Sequence, residues 1–237
     1  MVVSWSRVPA DAAGLVLGRS GVDQVPDHAA VAAEGVTVVR RTSGGGPVLW
    51  DHDLLSLDVV LPRGHPLAGR DVVLAYRWLG QAIASALRRC GVGDVEVVDV
   101  ERARRVGARP GAAADACFGG ISPFEVTAGG RKVLGLSQAR RGPGTLLQAG
   151  IPLRFDAARL GRLLGRDAVW TGALTGAAAG LDEVAPPIDP GDLVGAIDAE
   201  VAAWAEVDLV AGDVTDAERD AIAVVVAEVL GDDRPRA

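Results

Sequence analysis

The chain has 237 residues, is 49% apolar, carries a formal net charge of -7 and has a pI near 5.0. Its length and apolar content suffice for one sizeable core, whereas the acidic balance argues against a nucleic-acid-binding protein, which normally shows a basic face. No run of 18 apolar residues indicates a membrane span, and Trp5, Arg7 and Asp11 stand where a secretory signal needs an uninterrupted apolar core. We therefore expect a cytoplasmic protein that contacts neither nucleic acid nor membrane.

Short β patterns and two helical patterns alternate through the first half of the chain. The sequence predicts strands at 14–17, 36–41, 54–61 and 95–99, and an alanine-rich helix at 26–34 that stops at Gly35. Apolar residues recur at helical spacing over 71–89, with Asp71 as the N-cap and Gly91 as the terminator. Segment 102–115, rich in arginine, glycine and alanine, is predicted to be a long loop.

The second half of the chain contains a predicted hairpin that turns at Gly129-Gly130. The sequence then predicts a strand at 146–153, a short helix at 156–164, a loop-rich segment at 168–190 and helices at 191–205 and 215–230. Thr215 and Glu218 form a capping-box pattern at the start of the last helix. Because strands and helices mix without a regular βαβ alternation, we predict an α+β fold with a mixed, largely antiparallel sheet flanked by helices.

Lysine is almost absent from the chain: of 24 basic residues, Lys132 alone is not arginine. A compact ammonium on a thin stem enters narrow polar sites that exclude a guanidinium. The presence of a single lysine therefore indicates such a site, or else a lysine that persisted by chance on a turn. Strict alternation along the second hairpin strand places Lys132 on one face with Leu134, Leu136 and Gln138, which argues against a solvated position. Gly135 in mid-strand indicates a close approach of ligand or backbone.

Two further elements are candidates for chemistry. The segment Thr42-Ser-Gly-Gly-Gly46 either presents backbone N–H groups to an anion or forms a flexible turn. Cys117 is either buried and inert, or a nucleophile whose thiolate is held by Lys132, which the hairpin would return beside it. Cys90 lacks such a partner and is interpreted as a core residue. The cysteine and histidine spacings match no metal-ligand pattern, so we predict no metal site.

Four motifs occur in a fixed order along the chain. They are Val38-Val-Arg-Arg-Thr-Ser-Gly-Gly-Gly-Pro-Val48, Cys117-Phe, Gly130-Arg-Lys-Val-Leu-Gly-Leu-Ser-Gln138 and Leu147-Gln-Ala-Gly150. In this order and spacing they resemble the catalytic domain shared by lipoate-protein ligases and octanoyl or lipoyl transferases, within the biotin/lipoate protein ligase superfamily. The resemblance implies that fold; we therefore divide the chain into a catalytic domain at 1–189 and a C-terminal helical extension at 190–237 packed on it.

The resemblance also implies roles for the matching residues. The acyl and substrate pocket would be lined by Arg41, Ser43, Gly44, Gly45, Gly46, Gly135, Ser137 and Gln138. Lys132 would contact the acyl carbonyl or carboxylate, and Leu134, Leu136 and the valine-rich strands would supply an apolar slot. Cys117 would be the nucleophile, because the cysteine-dependent transferases carry a cysteine just ahead of this hairpin.

The leading hypothesis is transfer of an octanoyl or lipoyl group, through a Cys117 acyl-enzyme, to a lysine of a lipoyl carrier domain without a dissociable cofactor. That domain would belong to a 2-oxoacid dehydrogenase acyltransferase subunit or to a glycine cleavage carrier protein, with acyl carrier protein as a candidate donor. One alternative is an ATP- and Mg²⁺-dependent lipoate-protein ligase that works through lipoyl-adenylate. The other is a non-catalytic relative that binds a lipoyl domain or an acyl chain.

Overall fold

A computed structural model of the chain describes residues 1–19, 25–41, 43–108 and 110–231. Thr42, the first residue of the predicted glycine loop, therefore lies outside the described residues. The chain separates into two compact units, Met1–Glu206 and Val207–Ala237. No helix among the described residues is both long enough and apolar enough to cross a bilayer.

Six strands of the described chain form an antiparallel sheet in the first unit. Their order across the sheet is β1 (Val2–Ser6), β5 (Leu54–Pro62), β9 (Gly144–Pro152), β8 (Arg131–Arg141), β7 (Val126–Ala128) and β6 (Val95–Val97). A smaller sheet has β2 (Gly14–Leu17) at its centre, parallel to β3 (Thr37–Arg40) and antiparallel to β4 (Val48–Trp50). The predicted α+β fold with a largely antiparallel sheet is confirmed.

Helices cover both faces of the large sheet. On one face, α2 (Arg77–Arg89) and α7 (Pro190–Ala205) bury a core that includes Leu57, Ile83 and Ile197. On the other side, the small sheet, α4 (Ala157–Leu163) and α5 (Ala168–Ala177) share a second core. The remaining helices are α1 (His28–Ala33), α3 (Val100–Gly107), α6 (Leu181–Val184) and, in the second unit, α8 (Asp216–Gly231).

Several predicted elements differ from the observed ones. Segments 102–115 and 168–190 were predicted as loops, which is wrong: the first contains most of α3, and the second contains α5 and α6. The α3 helix forms because the Asp99 carboxylate accepts the Arg102 N–H at its first turn. The helix predicted from Asp71 begins at Arg77, after a 3₁₀ turn at Leu74–Tyr76. Strand β1 was not predicted.

A β-bulge changes the predicted face of Lys132. Thr127 pairs with Lys132 and Val126 pairs with Leu134, so that Val133 is the extra residue in β8. A Cβ placed on Gly135 would lie 3.6 Å from Cε of Lys132. The expectation that Lys132 shares a face with Leu134, Leu136 and Gln138 is therefore wrong. The bulge moves Lys132 to the face of Gly135, while Leu134 is buried in the core under α2.

The first compact unit extends beyond the predicted domain boundary at 189. Helix α7 belongs to this unit, because Ile197 and Val201 are fully buried against the α2 side of the sheet and Arg89 pairs with Glu200. The second unit begins at Val207, and within it the Thr215–Glu218 capping box is confirmed: the Glu218 carboxylate accepts the Thr215 N–H at 2.8 Å. The division at 189/190 stays a prediction.

Candidate active site

A cavity of about 190 Å³ lies between the two sheets. We call it the inter-sheet cavity. Its apolar wall comes from β2, β3 and β4 through Val16, Val39 and Val48, and Phe118 and Leu54 extend that wall. An engineered apolar cavity of about 150 Å³ suffices to bind benzene. The inter-sheet cavity therefore has room for part of an aliphatic chain.

Two rows of residues across β5, β9 and β8 form the floor of the inter-sheet cavity. One row is Ser56, Gly150 and Gly135; the other is Asp58, Gln148 and Ser137. The glycines in the first row leave open space beside Cys117, because a Cβ on Gly135 would lie 3.4 Å from the cysteine sulfur. The nearest neighbours of Gly135 are side chains, so the predicted close approach of ligand or backbone stays a prediction.

Polar side chains of the second row form a hydrogen-bond chain. The Oδ1 atom of Asp58 accepts from the Gln148 amide at 3.0 Å, and Oε1 of Gln148 accepts from Ser43 at 2.9 Å and from Ser137 at 3.2 Å. Burial raises the pKa of Asp58 above its usual range, although the Gln148 hydrogen bond works against that effect. The row gives the cavity one polar end.

The glycine loop fits tightly against the segment that carries Cys117. A Cβ on Gly46 would lie 2.1 Å from the Asp115 carbonyl oxygen, so only glycine permits this approach. Gly45 has a φ of 110°, and a Cβ there would meet the Arg41 guanidinium at 2.4 Å. The Pro47 carbonyl then accepts the Cys117 N–H at 3.1 Å. The loop thus holds the cysteine in place through its backbone.

The cysteine segment is also anchored from the opposite side, by α5. The Trp170 indole N–H donates to the Asp115 carboxylate at 2.7 Å, and Arg166 pairs with the same carboxylate. Phe118 packs against Phe155, with ring centroids 5.4 Å apart. Cys117 is half-buried and its side chain borders the inter-sheet cavity.

The Lys132 ammonium is buried beneath Cys117 and has three partners. Nζ donates to the carbonyls of Cys117 at 2.6 Å and Gly120 at 3.1 Å, and it lies 2.7 Å from the Glu125 carboxylate. It also sits 5.4 Å from the Phe118 ring centroid. An ammonium has three donors, so the protein uses all of them here. The prediction that Lys132 is not a solvated residue is confirmed.

Glu125 is the residue that the sequence reasoning missed. Its carboxylate accepts the N–H groups of Ser122 at 2.7 Å and Leu136 at 3.1 Å, in addition to pairing with Lys132. It therefore joins β8, the lysine and the loop after Cys117. An acid directly between Phe124 and Val126, where an apolar strand begins, was the available sequence signal, because buried acids are rare without a partner.

A second cavity lies on the other side of Cys117. We call it the loop cavity; it has a volume of about 380 Å³. Glycine and alanine backbone from 107–120 forms much of its wall, and Arg41, Glu125 and Lys132 also border it. Arg41 lines both cavities, donating to Gly46 O at 3.3 Å and to Ser137 Oγ at 3.4 Å. Cys117 therefore stands between an apolar cavity and a more polar one.

The structure brings together most of the predicted site residues. Around the two cavities lie Cys117, Lys132, Arg41, Gly45, Gly46, Gly135 and Ser137. Ser43 is buried behind Gln148, and Gly44 is half-buried in the same loop. Gln138 does not line the cavities: its amide donates to the Val72 carbonyl, and it accepts from Arg140 at 2.9 Å. It lies one residue beyond Ser137 on β8, so alternation turns it to the opposite face. Leu134 likewise does not form part of the apolar slot.

A family model, the lipoyl protein ligase A/B catalytic domain, matches residues 10–186. The chain belongs to this family. The match contains all the strands listed above except β1, together with the glycine loop, Cys117, Glu125 and Lys132.

Curated relatives of the family domain include octanoyltransferases. The octanoyltransferase LipM of Moorella thermoacetica is 39% identical over 124 residues, which are 52% of this chain and 43% of the relative. LipM of Clostridioides difficile is 32% identical over 130 residues, 54% of this chain and 45% of the relative. The matches thus span a little under half of each relative's length.

Solved structures of the family share the fold. A bi-partite lipoate protein ligase from Thermoplasma acidophilum, studied with its E2 lipoyl domain, has a TM-score of 0.71 at 17% identity and covers 95% of this chain and 79% of its own. Lipoate-protein ligase A bound with ATP has a TM-score of 0.70 at 19% identity, with 95% and 81% covered. At such identities the likeness shows the fold alone.

Proposed function

We propose that the chain transfers an octanoyl or lipoyl group to a lysine of a lipoyl carrier domain through a thioester on Cys117. The observation that carries this proposal is the position of Cys117, at the boundary of an apolar cavity and directly above the buried Lys132–Glu125 pair. The similarity to octanoyltransferases supports transfer.

The chemistry proceeds in two balanced steps. The Cys117 thiolate attacks the carbonyl carbon of the donor thioester, a new carbon–sulfur bond forms, and the donor thiolate leaves and takes up a proton. The acceptor lysine amine then attacks the Cys117 thioester, so that an amide forms, the cysteine thiolate is released and the amine loses a proton. No nucleotide or other dissociable cofactor enters either step.

Lys132 would act on the acyl carbonyl in both steps. Its longest hydrogen bond, 3.1 Å to Gly120 O, is the one that we expect to be exchanged for the acyl oxygen, since the 2.6 Å bond to Cys117 O holds the nucleophile's own backbone. A buried ammonium stabilises a developing oxyanion more strongly than one in water. The apolar chain would lie in the inter-sheet cavity.

The proposed partners are two carrier proteins. The acceptor would be a lipoyl domain of a 2-oxoacid dehydrogenase acyltransferase subunit or a glycine cleavage carrier protein; the T. acidophilum ligase was studied with an E2 lipoyl domain, which supports an acceptor of this kind. The donor would be an octanoyl acyl carrier protein. A cytoplasmic location, expected from the sequence, is part of the same proposal.

Intact-protein mass spectrometry after incubation with an octanoyl carrier tests the proposal. We expect one octanoyl adduct that maps to Cys117, is absent from Cys117→Ala and passes to an added lipoyl domain. Cys90→Ala is the matched control, because Cys90 lies at the end of α2, where burial raises its pKa. Normal transfer by Cys117→Ala would refute the mechanism.

The ATP-dependent ligase and the non-catalytic relative remain the competing hypotheses. Lipoate-dependent release of pyrophosphate, with Cys117→Ala fully active, would favour the ligase. Tight binding of a lipoyl domain, with neither pyrophosphate release nor an acyl adduct, would favour the non-catalytic relative. The similarity to octanoyltransferases supports transfer over both.

A further inference from the structure

The outer end of the β8–β9 hairpin carries a cluster of basic side chains that we call the basic rim. These side chains line one cavity beside the hairpin turn: Arg63, His65, Arg70, Arg140 and Arg141. Within the described part of the chain, no carboxylate borders this cavity and none of the four arginines forms an ion pair. Asp71 is close enough for the Arg140 charge to act on its carboxylate, but it is one acid beside four arginines. This excess of arginine on a protein of net charge -7 creates a local field that attracts an anionic partner.

The basic rim is fixed in place before any partner arrives. The Arg140 guanidinium donates to the carbonyls of Ala68 at 2.8 Å and Gly69 at 3.1 Å, which ties the segment before α2 to the hairpin. The Arg63 N–H donates to the Pro143 carbonyl at 2.9 Å. Docking therefore needs little ordering of the backbone, and this lowers the entropic cost of association.

An exposed apolar segment continues the basic rim towards the active site. Val72, Val73 and Leu74 are 53%, 37% and 54% exposed and are separated from Arg70 by Asp71, whose carboxylate accepts the Val73 and Leu74 N–H groups. Two residues further on, Tyr76 lies close enough to the site for the charges of Glu125 and Arg41 to act on it. Apolar residues bordered by charge are typical of protein interfaces. This surface thus runs from the hairpin turn to the segment that precedes Tyr76.

The distance from the basic rim to Cys117 indicates which partner docks there. Arg141 is six positions beyond Gly135 on β8, about 20 Å at the rise of an antiparallel strand. The four-carbon stem of an acceptor lysine is far shorter than this. An acyl group carried on a long flexible arm can cover the distance.

We propose that the basic rim and residues 72–74 dock the acyl donor, a small acidic carrier protein that holds the acyl thioester on a flexible arm. The inference rests on the proposed function and adds the surface by which the donor is recognised. Charge complementarity at such a surface mainly accelerates association and makes it sensitive to salt.

The test compares a protein donor with a small one. Arg63→Glu/Arg141→Glu and a matched control, Arg104→Glu/Arg105→Glu on the exposed side of α3, are acylated by octanoyl acyl carrier protein or by octanoyl-pantetheine. For the rim variant we expect kcat/KM for Cys117 acylation to fall about tenfold or more with the protein donor and to stay unchanged with octanoyl-pantetheine. The control variant should match the wild type with both donors.

Three results would overturn the docking proposal: equal losses with both donors, no loss with the protein donor, or a loss confined to transfer from acyl-enzyme to the lipoyl domain. If the wild type accepts octanoyl from neither donor, the proposed function fails instead. In that case docking is tested separately, by calorimetric measurement of the affinity for the unacylated carrier. This affinity must be lower in the rim variant than in the wild type and unchanged in the control.

Discussion

The Lys132 ammonium and the Glu125 carboxylate lie 2.7 Å apart, and each side chain is only 2% exposed. Removing charges from water is costly, and this cost is offset here by further hydrogen bonds: two carbonyls for the lysine and two N–H groups for the glutamate. The pair connects β8 to the Cys117 backbone. Glu125 is therefore expected to position the lysine rather than to touch substrate.

Breaking this pair on one side should destabilise the fold. Lys132→Met leaves the Glu125 carboxylate buried without a cation, which typically costs about 3–5 kcal/mol of unfolding free energy. Urea denaturation measures the loss. Lys132→Met/Glu125→Gln removes both charges and should lose less than Lys132→Met alone. A double variant at least as unstable as the single one would contradict the idea that the unpaired charge causes the loss.

A side chain at Gly135 should reduce Cys117 acylation without unfolding the protein. The alanine Cβ would lie 3.4–3.6 Å from the cysteine sulfur, Phe118 and Lys132, at ordinary contact distances. It would fill space where the acyl carbonyl is expected. We expect Gly135→Ala to lower the acylation rate roughly ten- to hundredfold, the scale of a small misplacement of reacting groups. Wild-type rates in Gly135→Ala would place the acyl group elsewhere; Gly142→Ala, in open space, is the control.

Gly46→Ala should lower stability instead. Its Cβ would meet the Asp115 carbonyl oxygen at 2.1 Å and the Cys117 nitrogen at 2.5 Å, both of them backbone atoms. Overpacking of this kind costs about 1–3 kcal/mol, and relief would move the glycine loop away from Cys117. Thermal unfolding and Cys117 alkylation by iodoacetamide report the two effects. An unchanged melting temperature would show that the loop has more room than its geometry indicates.

Two aspartates should respond to pH with opposite signs. Burial raises the pKa of Asp58, so the folded protein loses stability as the pH rises above the ordinary pKa of an aspartate and the buried carboxyl must ionise. Asp58→Asn should therefore stabilise the protein at neutral pH and have little effect at acid pH. N–H groups of Leu74 and Val73 lower the pKa of Asp71, so Asp71→Asn should destabilise at neutral pH and cease to do so under acid. Melting temperatures between pH 3 and 8 check both signs, and the same sign for both variants would contradict this assignment.

The local features of the fold were predictable from the sequence. Gly129 and Gly130 both adopt positive φ, which is the turn chemistry that their sequence indicates. Asp156 caps α4 as an N-cap aspartate should. Such features depend on neighbours in sequence, so a pattern of a few residues contains them.

Features fixed by distant packing were not predictable in the same way. Helix α5 contains two glycines and a threonine pair, and it forms because Trp170 and Leu174 are buried against the small sheet and α4. The roles of Glu125 and Gln138 likewise depend on contacts with residues distant in sequence: Glu125 accepts from Leu136 of β8, and Gln138 donates to Val72. The family resemblance assigned Gln138 to the cavity, and neither the resemblance nor strand alternation gave Glu125 a role.

The bulge at Val133 decides which side of the sheet Lys132 faces. If Val133 took a regular place in the ladder, strict alternation would put Lys132 on the face of Leu134 and turn the chain's one lysine into the apolar core. A variant with an ideal strand should therefore lose the Lys132–Glu125 pair. Engineering of related domains should preserve the bulge, even where a regular strand pairing would be more stable.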